Sequence, residues 1–276
     1  MKRSSILTAL AAAGLSALAP GHAAEWLAGI ADHDKLVMFP SDDPKDVTVL
    51  KIRGLPKRER LLGLDVRPLN GQLYALGSSS RLYTIDRATG QATAVGSAPF
   101  TTLLSGTRFA FDFNPTVDRI RIMSDSGQNL RAHPDTGAIA AVDAGLAYAA
   151  GDPGFASAPA VSACAYTNND NDPLTGTVLY DLDPARGVLV RQDPPNAGTL
   201  NTVGPLGLDL VEAHGFDIAG SDGTAYATVL LRDGRKKDAR PTLVTLDLAT
   251  GAATPIGKIA GPRPLTSLTA IGPVEE

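Results

Sequence analysis

The segment Phe111-Asp-Phe-Asn-Pro115 is one of five short, mostly apolar segments that recur along the chain, and this recurrence decides the fold. The other four are Gly63-Leu-Asp-Val-Arg-Pro68, Ala163-Cys-Ala-Tyr-Thr167, Gly215-Phe-Asp-Ile-Ala219 and Ser267-Leu-Thr-Ala-Ile-Gly-Pro273. With the central positions taken as Asp65, Asp112, Cys164, Asp217 and Thr269, the intervals are 47, 52, 53 and 52 residues. A period of about fifty residues with several strands per repeat is typical of a β-propeller.

The second repeat shows the strands of one unit. After the Phe111 segment, Asp118-Arg-Ile-Arg-Ile-Met-Ser124 alternates polar and apolar residues with period two, which predicts a strand. Asn129–His133 and Ala138–Val142 follow as third and fourth strands, separated by the turn Pro134-Asp-Thr-Gly137. Each repeat is therefore predicted to form one four-stranded blade.

The two ends of the chain are predicted to share the fifth blade. The last repeat has one strand left before the chain ends, beginning near Leu268. Three strand-like segments near the start, Glu25–Ile30, Lys35–Phe39 and Val47–Ile52, supply the rest. Such closure removes an exposed sheet edge. We therefore predict an all-β, five-bladed β-propeller whose last blade combines N-terminal strands with the C-terminal strand.

The first residues have the pattern of a secretory signal peptide. Lys2 and Arg3 precede an apolar stretch, Ile6–Ala19, and Gly21-His22-Ala23 resembles a small-residue cleavage site. The stretch is too short to predict a membrane-spanning anchor. We expect residues 1–23 to be removed, leaving residues 24–276 as a single propeller domain. The mature protein is then expected to be extracytoplasmic, either periplasmic or secreted, and monomeric.

Charge and cysteine content narrow the class of partner. Without Lys2 and Arg3 the chain carries 23 basic and 29 acidic residues. This acidic balance argues against nucleic acid or an anionic membrane as the main partner. The single cysteine, Cys164, cannot form an internal disulfide, so the fold depends on its core. Its position in an apolar strand predicts a buried, inert thiol.

The first strand of each propeller blade lines the central channel, so the recurring segments hold the candidate ligand site. Asp65, Asp112 and Asp217 are predicted at equivalent positions, with Thr269 beside them. Converging carboxylates would repel, and a cation or protonation would have to relieve the repulsion. The alternative is that each Asp hydrogen-bonds the backbone of the neighbouring blade. His214, just before the Asp217 strand, is a candidate for a channel mouth, and the favoured alternative is a structural histidine whose hydrogen bonds are satisfied.

Other signals for catalysis or metal binding are weak. The mature histidines, His33, His133 and His214, contain no pair close in sequence, as an imidazole metal site would favour. No Gly-x-Ser-x-Gly elbow, phosphate loop or dinucleotide fingerprint is present. A loop dense in oxygen side chains includes Asp170 and Asp172, and Ca²⁺ is the one cofactor that we consider there.

Several longer motifs resemble one uncharacterised bacterial family, domain of unknown function 4394. They are Phe111-Asp-Phe-Asn-Pro-Thr-Val-Asp-Arg-Ile-Arg-Ile-Met-Ser-Asp-Ser-Gly-Gln-Asn-Leu-Arg131, Leu73-Tyr-Ala-Leu-Gly77, Arg81-Leu-Tyr-Thr-Ile-Asp86 and Pro194-Pro-Asn-Ala-Gly-Thr-Leu-Asn-Thr-Val-Gly204. The resemblance implies an exported protein but transfers no catalytic residue. Within the first motif, Arg119, Arg121 and Arg131 either form salt bridges between blades or line an anion-binding rim.

The sequence leads to two functional hypotheses. The first is a non-enzymatic binding or interaction module for an unidentified small molecule or envelope protein. The second is a metal-assisted hydrolase or lactonase that uses the Asp ring. Carboxylates within about 5 Å of one another around a cavity would favour the enzyme. Carboxylates bonded to neighbouring backbone, with a plugged channel, would favour the binding module.

Overall fold

A computed structural model describes residues 24–170, 172, 174–232 and 240–274, so the expected signal peptide, residues 1–23, lies outside the described residues. The described chain forms strands that we number in chain order. The N-terminal strands are β1 (Glu25–Ala31), β2 (Lys35–Pro40) and β3 (Thr48–Lys51). Four strands follow: β4 (Leu61–Val66), β5 (Leu73–Gly77), β6 (Arg81–Ile85) and β7 (Ala92–Val95). The next four are β8 (Phe109–Asn114), β9 (Arg119–Ser124), β10 (Asn129–Ala132) and β11 (Ile139–Val142).

The second half of the chain repeats this pattern with one addition. A two-residue strand, β12 (Ala147–Tyr148), precedes β13 (Ala163–Tyr166), β14 (Leu179–Asp183), β15 (Val188–Gln192) and β16 (Thr199–Pro205). A single 3₁₀ turn, Pro195–Ala197, lies between β15 and β16. The last strands are β17 (Leu210–Ile218), β18 (Ala225–Leu231), β19 (Thr242–Leu246), β20 (Ala253–Lys258) and β21 (Thr269–Pro273).

The strands assemble into five sheets, which are the blades of a propeller. Blade 1 has the order β21-β1-β2-β3, and blades 2, 3 and 5 are the antiparallel meanders β4 to β7, β8 to β11 and β17 to β20. Blade 4 runs β13-β14-β15-β16 and then adds β12, which pairs parallel to β16. The sequence did not predict this fifth strand. The five-bladed, all-β architecture itself is confirmed.

Circular closure is also confirmed. β21 pairs antiparallel with β1, and the register places Thr269 opposite Ala28 and Pro273 opposite Glu25. The C-terminal strand therefore becomes the innermost strand of the blade that the N-terminal segment builds. The inner strands β21, β4, β8, β13 and β17 contact one another in that order around the central axis.

Turn chemistry fixes the outer strands. The Asp86 carboxylate accepts hydrogen bonds from the amides of Ala88 and Thr89, and Gly90 adopts φ 74°. Asp247 makes the equivalent bond to the Ala249 amide in blade 5. These side chains close the turn between the third and fourth strands, and glycine supplies the positive φ there.

The core lies between the blades. Five clusters of buried apolar side chains occupy the interfaces between blades 1 and 2, 2 and 3, 3 and 4, 4 and 5, and 5 and 1. At the interface of blades 2 and 3, the rings of Tyr74 and Phe113 meet edge to face with centroids 5.2 Å apart. Each sheet therefore buries both faces, and the arrangement holds the inner strands around a narrow channel.

Candidate functional site

The inner strands bring three aspartates together. Asp65, Asp112 and Asp217 are each at most 3% exposed, and each offers a carboxylate oxygen within 4.8 Å of the other two. Among the described residues, they are the one set of three Asp, Glu, His or Cys side chains that meets this distance. We call them the Asp trio. The sequence placed these three residues at equivalent positions in three repeats.

The third repeat is offset by one residue from the sequence alignment. The sequence placed Cys164 at the central position, but Cys164 packs toward blade 3 with Ala110 and Met123. Ala165 instead packs toward blade 5 and occupies the position equivalent to the trio. The assignment of Cys164 was therefore wrong. Successive side chains of a strand point to opposite faces, so a shift of one residue reverses the face.

Each member of the trio accepts a hydrogen bond from the backbone of the next blade. The carboxylate of Asp65 accepts from the Phe113 amide at 2.7 Å, and that of Asp112 from the Tyr166 amide at 2.9 Å. Asp217 accepts from the Ala270 amide at 2.7 Å. The blades that precede Asp65 and Asp217 in the circle have a central residue other than aspartate. Asp65 also accepts a hydrogen bond from the Val66 amide, and Asp217 accepts one from the Ile218 amide.

Thr269 joins two members of the trio. Its hydroxyl oxygen lies 2.9 Å from the nearest oxygen of Asp65 and 2.9 Å from that of Asp217. A hydroxyl has one proton, so it can donate to only one carboxylate at a time. If the other carboxyl is protonated, that acid donates to the threonine oxygen and both contacts become hydrogen bonds.

The electrostatics of the trio favour such protonation. Burial raises the pKa of Asp65 well above its usual range, and the charge of Asp217 raises it further. Burial likewise raises the pKa of Asp112, with added repulsion from Asp65 and Asp217. Burial raises the pKa of Asp217 to about 6, opposed by the hydrogen bonds from Ala270, Thr269 and Ile218. The trio therefore retains protons at a pH where exposed aspartates are ionised.

These bonds weigh against a metal centre at the trio. Together with Thr269 it offers four oxygen-bearing side chains, whereas Ca²⁺ takes about six to eight oxygen ligands. Asp65 and Asp217 each accept two hydrogen bonds from backbone amides, and the Thr269 hydroxyl lies 2.9 Å from both carboxyls. The arrangement combines the proximity that would favour the hydrolase with the backbone contacts that would favour the binding module. Chemically, it is a set of hydrogen-bonded ties between blades.

The channel narrows midway. Between its two ends lies a cavity of only about 10 Å³, lined in part by Leu64, Phe111, Phe216 and Leu268. This volume is at the lower limit for a single water molecule. At one end, a cavity of about 290 Å³ is bordered by Asp65, Asp217 and other groups. At the opposite end lies a cavity of about 330 Å³ that we call the histidine mouth.

At the end of the channel that Asp65 and Asp217 border, most polar groups are hydrogen-bonded within the protein. Glu25 is 3% exposed and accepts from the Ser221 hydroxyl and the Gly272 amide. Burial raises the pKa of its carboxyl. Arg67 donates two hydrogen bonds to Asp118 and one to Asp135.

The histidine mouth is lined by the same position of all five blades, which lies within the inner strand or just before it. The residue three places before each central residue lines it: Leu62, Phe109, Ser162, His214 and Thr266. Around them the cavity is completed by His33, Arg60, Thr107, Arg108, Glu212, Ala213 and Pro264. Blade 4 follows this three-residue rule only when Ala165, not Cys164, is taken as its central residue, because Ser162 precedes Ala165 by three residues.

Irregular strand pairing directs two of these side chains toward the mouth. In β17 the register shifts between Leu210 and Glu212 and again between Ala213 and Gly215, which leaves His214 as an extra residue. In β4 a shift between Leu61 and Gly63 does the same for Leu62. β-Bulges redirect side chains and are frequent beside binding sites. The prediction that His214 lies at a channel mouth agrees with its position.

Two imidazole nitrogens at this mouth are buried and without a hydrogen-bond partner: His33 Nδ1 and His214 Nε2. His214 Nε2 is 3.0 Å from a Glu212 oxygen, but the contact is not aligned as a hydrogen bond. Burial lowers the pKa of His214, with Glu212 opposing and Arg108 adding to the effect. Sequence spacing missed that His33 and His214 share a cavity. The turn between β1 and β2 carries His33, and closure of the circle brings that turn to the mouth.

The remaining predicted residues lie elsewhere. Arg121 is 2% exposed and donates to Tyr166, Asn129, Asp143 and Asn196, which ties blade 3 to blade 4. Arg131 donates to the same Asp143, whereas Arg119 bonds the carbonyls of Val117 and Asp118. The exposed Asp170 and Asp172 carboxylates accept from the Asp172 and Leu174 amides in their own loop.

The fold and site define a five-bladed β-propeller with a narrow central channel. The family described as Domain of unknown function (DUF4394) matches residues 35–269, and the chain belongs to this family. No curated protein matches the sequence. Among the described residues, no helix is long and apolar enough to cross a membrane.

Solved structures are similar in fold. A protein of unknown function from Bacteroides thetaiotaomicron VPI-5482 is 12% identical with a TM-score of 0.50, and the match covers 92% of this chain and 66% of that one. An auxiliary nutrient binding protein from the same organism is 16% identical, with a TM-score of 0.43 and coverage of 70% and 53%. Glutaminyl cyclase from Myxococcus xanthus is 13% identical, with a TM-score of 0.43 and coverage of 74% and 89%. The chain spans slightly less than two thirds of the first structure and about half of the second.

Proposed function

We propose that this protein is an exported, non-enzymatic propeller that binds a small polar molecule at the histidine mouth. The observation that carries the proposal is the pair of buried, unpartnered nitrogens, His33 Nδ1 and His214 Nε2, on a cavity of about 330 Å³. A buried polar atom without a partner costs free energy, which a ligand hydrogen bond would recover. The volume is within the range of small-molecule sites, about 300 to 1,000 Å³.

Two potential nucleophiles lie near the mouth, Ser162 and Cys164, and neither has the surroundings that would activate it, which favours a binding role. The Ser162 hydroxyl at the mouth donates its proton to the Ala213 carbonyl at 2.8 Å rather than to a general base. Burial, together with the charges of Asp112 and Asp181, raises the pKa of the Cys164 thiol well above its usual range. Neither group is therefore activated for covalent catalysis.

Export is supported by the N-terminal sequence pattern. The positive start, apolar stretch and small-residue cleavage site precede the first strand, which begins at Glu25. We expect purified mature protein from its native host to begin close to Ala24. Detection of chains that still carry residues 1–23 in the cytoplasm, with none outside, would contradict export.

Histidine resonances test the binding proposal directly, because the mature chain has one histidine away from the mouth. His133 lies near Asp135 on blade 3, so it serves as an internal control. Protein labelled with ¹⁵N at histidine is titrated with a set of neutral, cationic and anionic fragments small enough for the cavity. We expect at least one fragment to shift His33 and His214 saturably and to leave His133 unchanged. If every fragment leaves both mouth histidines unchanged, the proposal is wrong.

A further inference from the structure

The charges at the histidine mouth do not cancel. Arg108 forms an ion pair with Glu212, which bridges from blade 3 to blade 5 across the mouth. Arg60 also lines the cavity, and its guanidinium has no hydrogen-bond or ion-pair partner within the described part of the chain. Its neighbour Glu59 is bound by Ser78, Ser79 and Tyr83 and does not border the cavity. Among its Arg and Glu side chains, the mouth therefore carries one uncompensated positive charge.

The unpartnered nitrogen of His33 lies on the same side of the mouth as Arg60. The amide of Leu61, the residue after Arg60, donates to the His33 carbonyl at 3.0 Å. His33 has φ 66°, an uncommon conformation for a residue other than glycine. The two acids nearest to it in sequence have other partners, because Asp32 pairs with Lys35 and Asp34 with Lys51. Arg60 and His33 both line the cavity, so a cation and an imidazole border the same site.

Other parts of the cavity wall are apolar. Leu62 and Phe109 lie in the mouth at equivalent positions of adjacent blades, with Ala213 and Pro264 farther around the wall. Phe109 is 8% exposed, so its ring is largely fixed by its neighbours. A site with few polar groups and an apolar wall suits an organic molecule better than an inorganic ion.

We propose that the histidine mouth binds a small organic carboxylate, with its carboxylate at Arg60 and His33 and its apolar body against Leu62 and Phe109. This inference rests on the proposed function and names the chemical class of the ligand. Arg60 supplies a charge-assisted hydrogen bond, and His33 donates from Nδ1–H. A carboxylate accepts but does not donate, so binding selects the His33 tautomer with its proton on Nδ1.

Benzoate is the probe, with benzamide as its neutral analogue and benzylammonium as its cationic analogue. Each is titrated into ¹⁵N-histidine-labelled protein, and the shifts of His33, His214 and His133 are followed. We expect benzoate to bind at least about tenfold more tightly than either analogue, because benzamide lacks the negative charge that attracts Arg60 and benzylammonium is repelled by it. The ring-nitrogen shifts of His33 should move toward those of the Nδ1–H tautomer, a change that general tightening of the fold would not produce.

Two substitutions locate the carboxylate. Arg60→Gln removes the uncompensated charge from an exposed position and should weaken benzoate about tenfold or more while leaving the thermal midpoint unchanged. Arg191→Gln is the matched control, because Arg191 is also exposed and pairs with Asp193 away from the mouth. It should leave benzoate affinity unchanged.

The outcomes separate the two proposals. If benzamide or benzylammonium shifts the mouth histidines as strongly as benzoate, the carboxylate assignment is wrong but the mouth is still a binding site. If benzoate binds equally well to the wild type and to Arg60→Gln, the assignment is also wrong. Failure of all three probes overturns the carboxylate inference, whereas the proposed function falls only if the wider fragment set also fails.

Discussion

The carboxylate of Asp65 in blade 2 accepts a 2.7 Å hydrogen bond from the amide of Phe113 in blade 3. Phe113 directly follows Asp112, which makes the same kind of bond to blade 4. The trio thus links consecutive inner strands through backbone amides that would otherwise be buried without an acceptor. The contacts are at the axis, where all the blades meet.

Replacement of Asp65 tests the strength of these links. Asp65→Ala should lower the free energy of unfolding by about 2 to 3 kcal/mol, because the Phe113 amide is left buried and unpaired. Asp65→Asn retains an acceptor oxygen and should lose less. The measurement is urea unfolding at constant pH. Asp86→Ala, which removes an exposed turn acceptor, is the control and should cost about 1 kcal/mol or less. Equal losses of unfolding free energy for Asp65→Ala and Asp86→Ala would contradict a stabilising role for the hydrogen bond between Asp65 and Phe113.

The raised pKa of Asp217 predicts a specific pH dependence of stability. Its usual value of 3.8 becomes about 6 in the folded protein. Between these values the folded state holds a proton that the unfolded state has released, so this group's contribution to stability falls as pH rises through the window. It is fully present below about pH 4 and lost above about pH 6. Carboxyls with lowered pKa, such as Asp125 and Asp152, act in the opposite direction at lower pH.

Comparison with Asp217→Asn measures this contribution together with its effect on the neighbouring carboxyls. The variant cannot titrate at this position, and removal of the charge also lowers the pKa of Asp65. From pH 4.5 to pH 7.5, the stability of the wild type should fall by about 2 kcal/mol relative to the variant. Urea titrations of both proteins at several pH values give the difference. A constant difference across this range would show that Asp217 has an ordinary pKa.

The sequence predicted the repeats and closure because both arise from local alternation and a regular period. The face of the third inner strand was misassigned for a physical reason: Ala163, Cys164 and Ala165 are all small and compatible with burial, so no polar residue marks the register. The pairing of His33 with His214 in one cavity was missed because His33 comes from the closing blade and His214 is an extra residue in β17. With Ala165 as the central residue of blade 4, counting three residues back from each central residue would have found the five equivalent positions that line the mouth.

Arg121 should be among the most important polar residues for stability. It is 2% exposed and bonds two groups of blade 4, the Tyr166 hydroxyl at 3.1 Å and the Asn196 side chain at 2.8 Å. Arg121→Met should cost about 3 to 5 kcal/mol, because it leaves several buried polar partners unsatisfied. Arg131→Met is the matched control, since Arg131 contacts the same Asp143 but its side chain is 30% exposed. We expect it to cost about 1 kcal/mol. Similar losses in urea unfolding would contradict a tie between blades.

Cys164 provides a test of packing between blades 3 and 4. Its side chain is 1% exposed, and burial is the main cause of its raised pKa. The reactive form of cysteine is the thiolate, so both the low exposure and the raised pKa suppress reaction. The native protein should react with a thiol-specific disulfide reagent only as fast as it opens, whereas protein unfolded in guanidinium should react at once. Arg121→Met should accelerate the native reaction, because it weakens the interface that covers the thiol. Rapid labelling of the folded wild type would show that this interface opens readily and that the strand holding Ala165 is not fixed in the register described.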